Sequence, residues 1–443
     1  MVALMERDVA ATRVGHDGVA QVATLGLIAT AFDHYDSRAG DPQLHTHVVI
    51  ANKVQGEDQK WRALDGRPMH QAVVAISEHY NALLADRLAR SLGVSWEQRE
   101  RGQDRNPAWE IENVPGDLLA EFSSRSTEIN AEKDKLIEQY RADHGHDPDT
   151  TTILKLRQQA TLATRPDKTQ HSLVELTGQW RTRATTLLGK DATDWAHCLI
   201  DTTAERITVK AEDLTPDELE KIGRAVVEAV QVKRSTWRRW NLHAEASRQT
   251  MHLRFASTED REAIIGLITD AAERGSLRVS PPELVKAPVL FTRPDGSSVF
   301  RPRYATIYTS TALLAAEDRM LELSRSPLGP AIPAKTATRI AGRRDEQGRV
   351  LSADQRRVVE RIATSGRQVD VLVGPAGAGK TLALGALRRV WEAQHGPGSV
   401  TGLAPSAAAA DVLAETSKLG RRTPRNGCTS TSEAAGTSSR DSW

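Results

Sequence analysis

The sequence predicts three stretches of different fold class. An incomplete α+β domain, an antiparallel sheet with helices, comes first; a helical, winged-helix-like middle follows; a partial α/β domain built around a phosphate loop lies at the C terminus. Three observations carry this reading. Two runs rich in β-branched residues, QVATLGLIATAFDH and QLHTHVVIANKVQ, flank the turn-forming DSRAGDP. Polar helical periodicity follows over residues 128–188. Near the C terminus a short apolar run leads into GPAGAGKT and then a helical segment. The length of 443 residues accommodates roughly two to four domains of about 100–200 residues.

Composition narrows the function classes. With 39% hydrophobic and 26% charged residues and a mean hydropathy of −0.45, the chain reads as a soluble globular protein. No apolar run reaches the roughly 18–20 residues that span a bilayer, so no membrane insertion and a cytoplasmic location are expected. Cys198 and Cys428 lie far apart without a CxxC partner, which excludes a disulfide framework and a cysteine zinc site of the usual spacing. The 59 basic and 58 acidic residues nearly cancel, so a nucleic-acid partner must be argued from local patches.

The expected elements run in order. The N-terminal runs form an antiparallel hairpin within an α+β domain spanning residues 1–130. A helix is predicted over residues 69–92, where Ala72, Ile76, Tyr80, Leu83, Leu84, Leu88 and Leu92 recur near helical spacing and Gly93 stops it. Residues 131–203 read as a helical connector broken at HGHDPD. Residues 204–326 read as helices with the hairpin-like VLFTRPDGSSVFRP, whose Pro294-Asp295-Gly296 is a turn signal, hence the winged-helix expectation. Residues 327–350, opening with a proline-rich stretch, are the linker candidate. A second folded domain should span 351–418, and the Ser/Thr-rich residues 419–443 are expected to form a disordered tail.

The clearest motif is the phosphate loop. The apolar run Val369–Val373 enters Gly374-Pro-Ala-Gly377-Ala-Gly379-Lys380-Thr381, followed by the helical LALGALRRVWEA. Glycines at 374, 377 and 379 let backbone amides wrap phosphates at a helix N-terminus, Lys380 reaches the outer phosphates, and Thr381 ligates Mg²⁺. ATP with Mg²⁺ is the expected cofactor. Upstream, Gln355 stands where superfamily 1 helicases carry an adenine-reading glutamine, and it also completes a capping box with Ser352; both readings stand. Hydrolysis needs a further carboxylate on Mg²⁺, and no apolar strand ending in Asp-Glu follows within residues 414–443.

The histidines form the second motif. In DHYDSRAGDPQLHTHVVIAN, His45 and His47 are two apart in an extended run and so share one face. His34 lies across the turn and can face the same point. Three neutral imidazoles there would hold a divalent ion, Mg, Mn or Zn, with positions left open for an oxygen ligand or phosphate.

The string FDHYDSRAGDPQLHTHVVIAN, with WRALDG and EFSSRSTEI after it, resembles the relaxase domain of MobF-type conjugative relaxases, the TrwC/TraI-like family. The resemblance covers about residues 1–130 and 345–416. It implies a relaxase-type α+β fold, a RecA-like P-loop domain of a superfamily 1 helicase, single-stranded DNA at an origin of transfer as substrate, and the conjugation machinery as partner. His34, His45 and His47 match that family's metal triad, which grips the scissile phosphate. The family's nucleophile is a tyrosine near its N terminus, and none of Tyr35, Tyr80, Tyr140, Tyr304 and Tyr308 matches that position. An N- and C-terminally truncated relaxase-helicase, inactive by itself in nicking and unwinding, is therefore expected. The other reading is a catalytically inactive module that binds single-stranded DNA and nucleotide.

A further nucleic-acid candidate is the segment 231–254, with six basic residues and one acidic. Arg234, Trp237, Arg238, Arg239 and Trp240 interleave charge with rings that could stack on bases. The competing reading places the tryptophans in the core and the arginines on the solvent face.

Overall fold

The N-terminal β-branched runs pair as antiparallel hairpins in the structure, a computed structural model that describes residues 1–101, 106–145, 147–167, 171–201, 208–375, 377–404 and 420–422. Strand β1 (Ala11–Val14) pairs with β2 (Ala20–Ala23), and β3 (Ala29–Asp36) with β4 (Pro42–Ile50). The short β5 (Val54–Gln55) and β6 (Trp61–Arg62) form a third pair. The described residues are helical, with small two-stranded sheets. They divide into two compact units, residues 1–313 and 314–443.

Helix α1 (Gly66–Leu92) starts earlier than its apolar periodicity indicates. Asp65 caps it by accepting from the Arg67 amide, and Gly93 ends it at φ +66°. The Asp65 carboxylate also accepts from Arg13 Nε on β1 and Gln21 Nε2 on β2, at 2.9 and 3.0 Å, so one side chain ties the first hairpin to the helix start. The buried face differs from the one read from the large residues. Ala72, Ala75, Ile76, His79, Ala82, Ala85, Asp86 and Ala89 point inward, while Tyr80 and Leu84 are 46% and 38% exposed. Small residues occupy the inner stripe because α1 packs on another helix, α6 below, and alanines permit closer approach than leucines.

After the hairpin β7 (Trp96–Arg99) and β8 (Ala108–Ile111) come α2 (Ser124–His144), α3 (Thr150–Ala163) and α4 (Leu173–Leu188). The HGHDPD break is where Gly145 ends α2 at φ +69° and Asp149 caps α3. Next, α5 (Pro216–Lys233), α6 (Arg239–Gln249) and α7 (Thr258–Arg274) pack against one another. Their core holds Val226, Leu242, Phe255, Ile264 and Ile268. Gly223 is required where α5 crosses α7: a Cβ there would stand 2.8 Å from that of Ala271. The winged-helix expectation is met only by three helices and a two-residue pair, β9 (Leu277–Arg278) with β10 (Tyr308–Thr309). VLFTRPDGSSVFRP does not form two wing strands. It folds as a 3₁₀ turn at Val289–Phe291 and a single bridge, Thr292 to Ser298, around Gly296 at φ +80°. Pro288, Pro294 and Pro302 lack the N–H groups that a ladder needs.

Two imidazoles lie in the packed interior. His79 on α1 and His243 on α6 are 1% and 8% exposed, with ring centroids 6.0 Å apart. Neither His79 nitrogen nor His243 Nδ1 has a hydrogen-bond partner. Burial pushes both down to about 4, assisted at His79 by the positive N-terminus, Arg261 and Arg7, and at His243 by His79 and Arg239. In the unfolded chain both titrate near 6.5, so between about pH 6.5 and pH 4 the unfolded state binds more protons. Stability is therefore expected to decline as pH falls through that window and to level off below it. Unfolding midpoints measured against pH check this, and His79→Gln should make the decline shallower; equal slopes in both proteins would contradict it.

In the second unit, α8 (Ala334–Ala341), α9 (Ala353–Thr364) and α10 (Lys380–His395) enclose a core of Ile332, Ala337, Ile340, Val359, Ala386 and Val390. Residues 327–350, expected as a linker, are thus part of this unit. Ile332 is 2% exposed and its amide donates to the Ala363 carbonyl, at 2.8 Å; Pro333 caps α8 rather than stiffening a spacer. The apolar run 369–373, where a phosphate loop is ordinarily preceded by a strand, forms no strand among the described residues, and Val371 and Val373 are 75% and 85% exposed. A strand exists only by its partners, and this run has none there. Strand β11 (Thr401–Leu403) pairs in parallel with β12 (Gly420–Arg422). Within the stretch 419–443 expected as a disordered tail, residues 420–422 form β12; the rest of it and most of the alanine-rich segment after β11 lie outside the described residues.

Candidate metal and nucleotide sites

The β3–β4 hairpin brings the three histidines together. Its turn is held by Ser37, whose amide donates to the Asp41 carbonyl while its hydroxyl accepts from the amides of Ala39 and Asp41. Asp41, 2% exposed, accepts from Ser124 and Arg183, which pins the turn to helices α2 and α4. The register sets His34 directly opposite His45 and Phe32 opposite His47. Alternation then puts all three imidazoles on one face, with ring centroids 4.9–5.3 Å apart. One ligand atom from each lies within 4.8 Å of the others. A ladder irregularity between His34 and Asp36 takes Tyr35 out of register, and its side chain is 48% exposed.

The donor set fits a divalent cation. His45 Nδ1 lies 2.7 Å from the Gln43 carbonyl; a carbonyl only accepts, so the proton sits on Nδ1 and the Nε2 lone pair is left for a metal. Nitrogens bound at about 2.1 Å in a tetrahedral site are roughly 3.4 Å apart, and side-chain rotation closes the remaining gap. Asp33, next to His34 in sequence, lies on the opposite face and accepts from Thr46 Oγ1, at 2.6 Å. The metal-facing side is therefore nitrogen only, with coordination positions open to an oxygen ligand.

In the second unit, Gly377 and Gly379 adopt φ +76° and +75°, and Gly379 caps α10. Lys380 opens that helix; its Nζ donates to the carbonyls of Gly374 and Pro375, at 2.7 and 2.8 Å, folding back on its own loop. Thr381 follows in the first turn, half-buried. Gln355 completes its capping box with Ser352, and its Nε2 donates to the Ala378 carbonyl at 3.0 Å. One N–H and one oxygen lone pair of the amide are left for a base edge. The structure thus brings Gly374, Gly377, Gly379, Lys380, Thr381 and Gln355 into one neighbourhood.

The basic segment is a correction. Trp237 and Trp240 are 1% and 6% exposed: Trp237 donates from its indole to Ser276 Oγ at 3.0 Å, and Trp240 packs in the core with Val9 and Ile76. Neither offers a ring face for base stacking. Arg239 is ion-paired with Asp270 and Glu273, and the backbone amide of Arg238 donates to Asn241. Arg234 alone of the five is exposed. Rings this large bury wherever a helix offers an inner face, and local charge density does not report which way they point. A pair of tryptophans not singled out, Trp96 and Trp109 on the β7–β8 hairpin, stays half-exposed with the Arg254 guanidinium 5.7 and 6.0 Å from their rings. Both lie on short strands, with no basic run in the sequence to mark them.

Comparison with known proteins agrees with this assembly of parts. Residues 1–187 match the family model described as TrwC relaxase, and residues 350–437 match one described as AAA domain. The N-terminal part of the chain thus matches the TrwC relaxase model, and the resemblance to MobF-type, TrwC/TraI-like proteins holds. Among curated proteins the chain is similar to the multifunctional conjugation protein TraI of Escherichia coli, 35% identical over 130 residues, and to TraI of Escherichia coli strain K12, 31% over 127 residues. Each alignment covers 27% of this chain and 7% of the relative. Among solved structures, conjugative relaxase TrwC in complex with oriT DNA in a metal-bound form is 29% identical, with a TM-score of 0.34, covering 43% of this chain and 61% of that one. The complex with mutant oriT DNA is 28% identical, with the same TM-score, 42% and 61% covered. No helix among the described residues is long and apolar enough to cross a membrane.

Proposed function

We propose that this chain serves conjugative DNA processing. The triad His34, His45 and His47 holds a divalent ion, Mg, Mn or Zn, against a phosphate of single-stranded DNA at an origin of transfer, and the 350–437 region binds ATP with Mg²⁺ through Gly374, Gly377, Gly379, Lys380 and Thr381. The convergence of three imidazoles on one exposed hairpin face is the observation that carries this reading. A metal bound there polarises a phosphodiester oxygen. The chain's own residues hold and orient: Gln43 sets the His45 tautomer, and Asp41 fixes the turn that brings His45 opposite His34. Nicking with covalent transfer and ATP-driven unwinding belong to the whole relaxase-helicase; the described residues supply the grip on the strand. Conjugation proteins are the partners and the cytoplasm is the location this role implies.

The test is anisotropy of a labelled single-stranded oligonucleotide with Mn²⁺ and with chelator. Tighter binding with metal is expected, and equal binding in both conditions would refute the reading. For the nucleotide site, Lys380→Ala is expected to weaken MgATP binding by about 10- to 100-fold, because a hydrogen bond to a charged group contributes about 1.5–3 kcal/mol. Calorimetric titration measures this; an unchanged affinity would show that Lys380 stays folded on Gly374 and Pro375 when nucleotide is present.

A further inference from the structure

The motifs above leave a group of arginines without a role. Between the β9–β10 pair and the Pro294-Asp295-Gly296 turn lies a cavity of about 540 Å³ lined by Arg278, Arg293, Arg301 and Arg303. Its acids are largely spent: Glu273 is paired with Arg239, at 2.5 Å, and Glu283 with Arg301, at 3.4 Å. Arg278, Arg293 and Arg303 make no ion pair among the described residues. Arg278 donates to the carbonyls of Ser280 and Pro281. Arg293 is spread over the carbonyls of Gln21, Ser298 and Arg301 and the Ser297 hydroxyl. Arg303 Nη1 donates to the Arg7 carbonyl, while its Nε is buried without a partner. Asp295, the remaining acid, is engaged by Ser297 through both amide and hydroxyl. Four arginines against Glu273, Glu283 and Asp295 leave the lining with an excess of one positive charge.

The backbone points the same way. Tyr304, next to Arg303, sits at φ +57°, a conformation that a bulky residue adopts only where its surroundings impose it. Its ring is held between the guanidiniums of Arg303 and Arg239, 5.0 and 5.4 Å away. Burial lowers the Arg293 guanidinium from its ordinary range, and Arg303's charge adds to this while Asp295 opposes it. Positive charges in excess of their counter-ions in a half-buried pocket raise the energy of the empty state, and an anion relieves it.

We infer that this cavity is a phosphate-binding pocket, in which Arg278 and Arg303 take the phosphate group and Arg293 supplies a fixed positive charge at its wall. Guanidinium forks match phosphate oxygens in pairs. The group arrives either on a single-stranded nucleic acid or as a free phosphate. The pocket is separate from the histidine hairpin and needs no metal. Sequence reasoning passed over it because its arginines span residues 278–303, separated by prolines and a turn, with no basic run.

Phenylglyoxal modification of the intact chain, mapped by mass spectrometry, tests this with Arg234 as an outside reference. Protection of Arg278 and Arg303 by micromolar oligothymidylate but not by millimolar inorganic phosphate identifies a strand phosphodiester. Protection by inorganic phosphate identifies a free phosphate and supports the pocket even if the DNA reading fails. No protection by either overturns it. Where the strand protects, Arg278→Gln, a change at an exposed side chain, is expected to lower the slope of log affinity against log salt by about 0.7, one single-strand phosphate contact. Arg303→Gln should do the same. An unchanged slope and affinity in both variants, with unaltered far-ultraviolet circular dichroism, would also overturn the proposal.

Discussion

Replacing His45 with alanine is expected to abolish measurable binding of a divalent ion to the hairpin, a loss of at least about 100-fold, since removal even of a group that only orients a ligand costs about 10- to 100-fold. Among the described residues no carboxylate or thiol joins the three imidazoles, and Asp33, on the other face, is bonded to Thr46. His34→Ala and His47→Ala should behave alike. Asp33→Ala should leave the affinity within about twofold, as expected for a charge that touches neither metal nor ligand. Competition with a chromogenic chelator measures all four. Wild-type affinity in the His45 variant would mean that the rings merely pack together. The expected loss should carry through to strand binding, with the His45 variant insensitive to added Mn²⁺. That pairing separates a metal that holds the strand from one bound for its own sake.

The largest stability effect is expected at Asp86. Its carboxylate, 1% exposed, receives Nε and Nη2 of Arg261, which is 0% exposed, and the amide of Phe255 at 3.3 Å. Arg261 also donates to the Leu253 carbonyl and lies 4.4 Å from the Phe255 ring. This pair joins α1 to α7 across the interior of the first unit. Asp86→Ala leaves the guanidinium buried and unpaired, and breaking a buried pair on one side costs about 3–5 kcal/mol. Asp86→Leu combined with Arg261→Met removes both charges and should recover much of that loss, because most of the single-variant penalty is uncompensated charge. Denaturant unfolding of the three proteins decides it. A single-variant cost under about 1 kcal/mol would contradict a dry interior around Arg261, since exposed pairs are worth only that much.

Legibility varied with the range of the interaction. His45 and His47 share a face because of strand alternation, and His34 joins them once a short turn closes; every step is local. The capping box of Ser352 and Gln355 and the glycines before Lys380 are local in the same sense. The apolar run before the phosphate loop is not, since strand formation depends on a distant partner. Misreadings arose where side-chain size was taken for burial, as on α1, and where local positive charge was taken for exposure, as around Trp237. Tyr80 and Leu84 face outward while alanines line the inner stripe of α1, and Trp237 and Trp240 are core residues inside a basic segment. The proline-rich segment near residue 330 reads as a spacer by composition, yet Ile332 is buried in the second unit.

From the residues alone came the chemistry available to this protein: imidazoles at metal-ligand spacing, a glycine loop ending in Lys-Thr, and the order of the parts along the chain. Backbone periodicity and turn propensity act over a few residues, so a linear reading captures them. Tertiary structure alone decided which helix faces meet, that His79 and His243 are held neutral inside, that Asp86 finds Arg261, and that Arg278, Arg293 and Arg303 surround one cavity. Those outcomes depend on desolvation and on contacts between residues far apart in sequence. Neither is encoded in any short window of it.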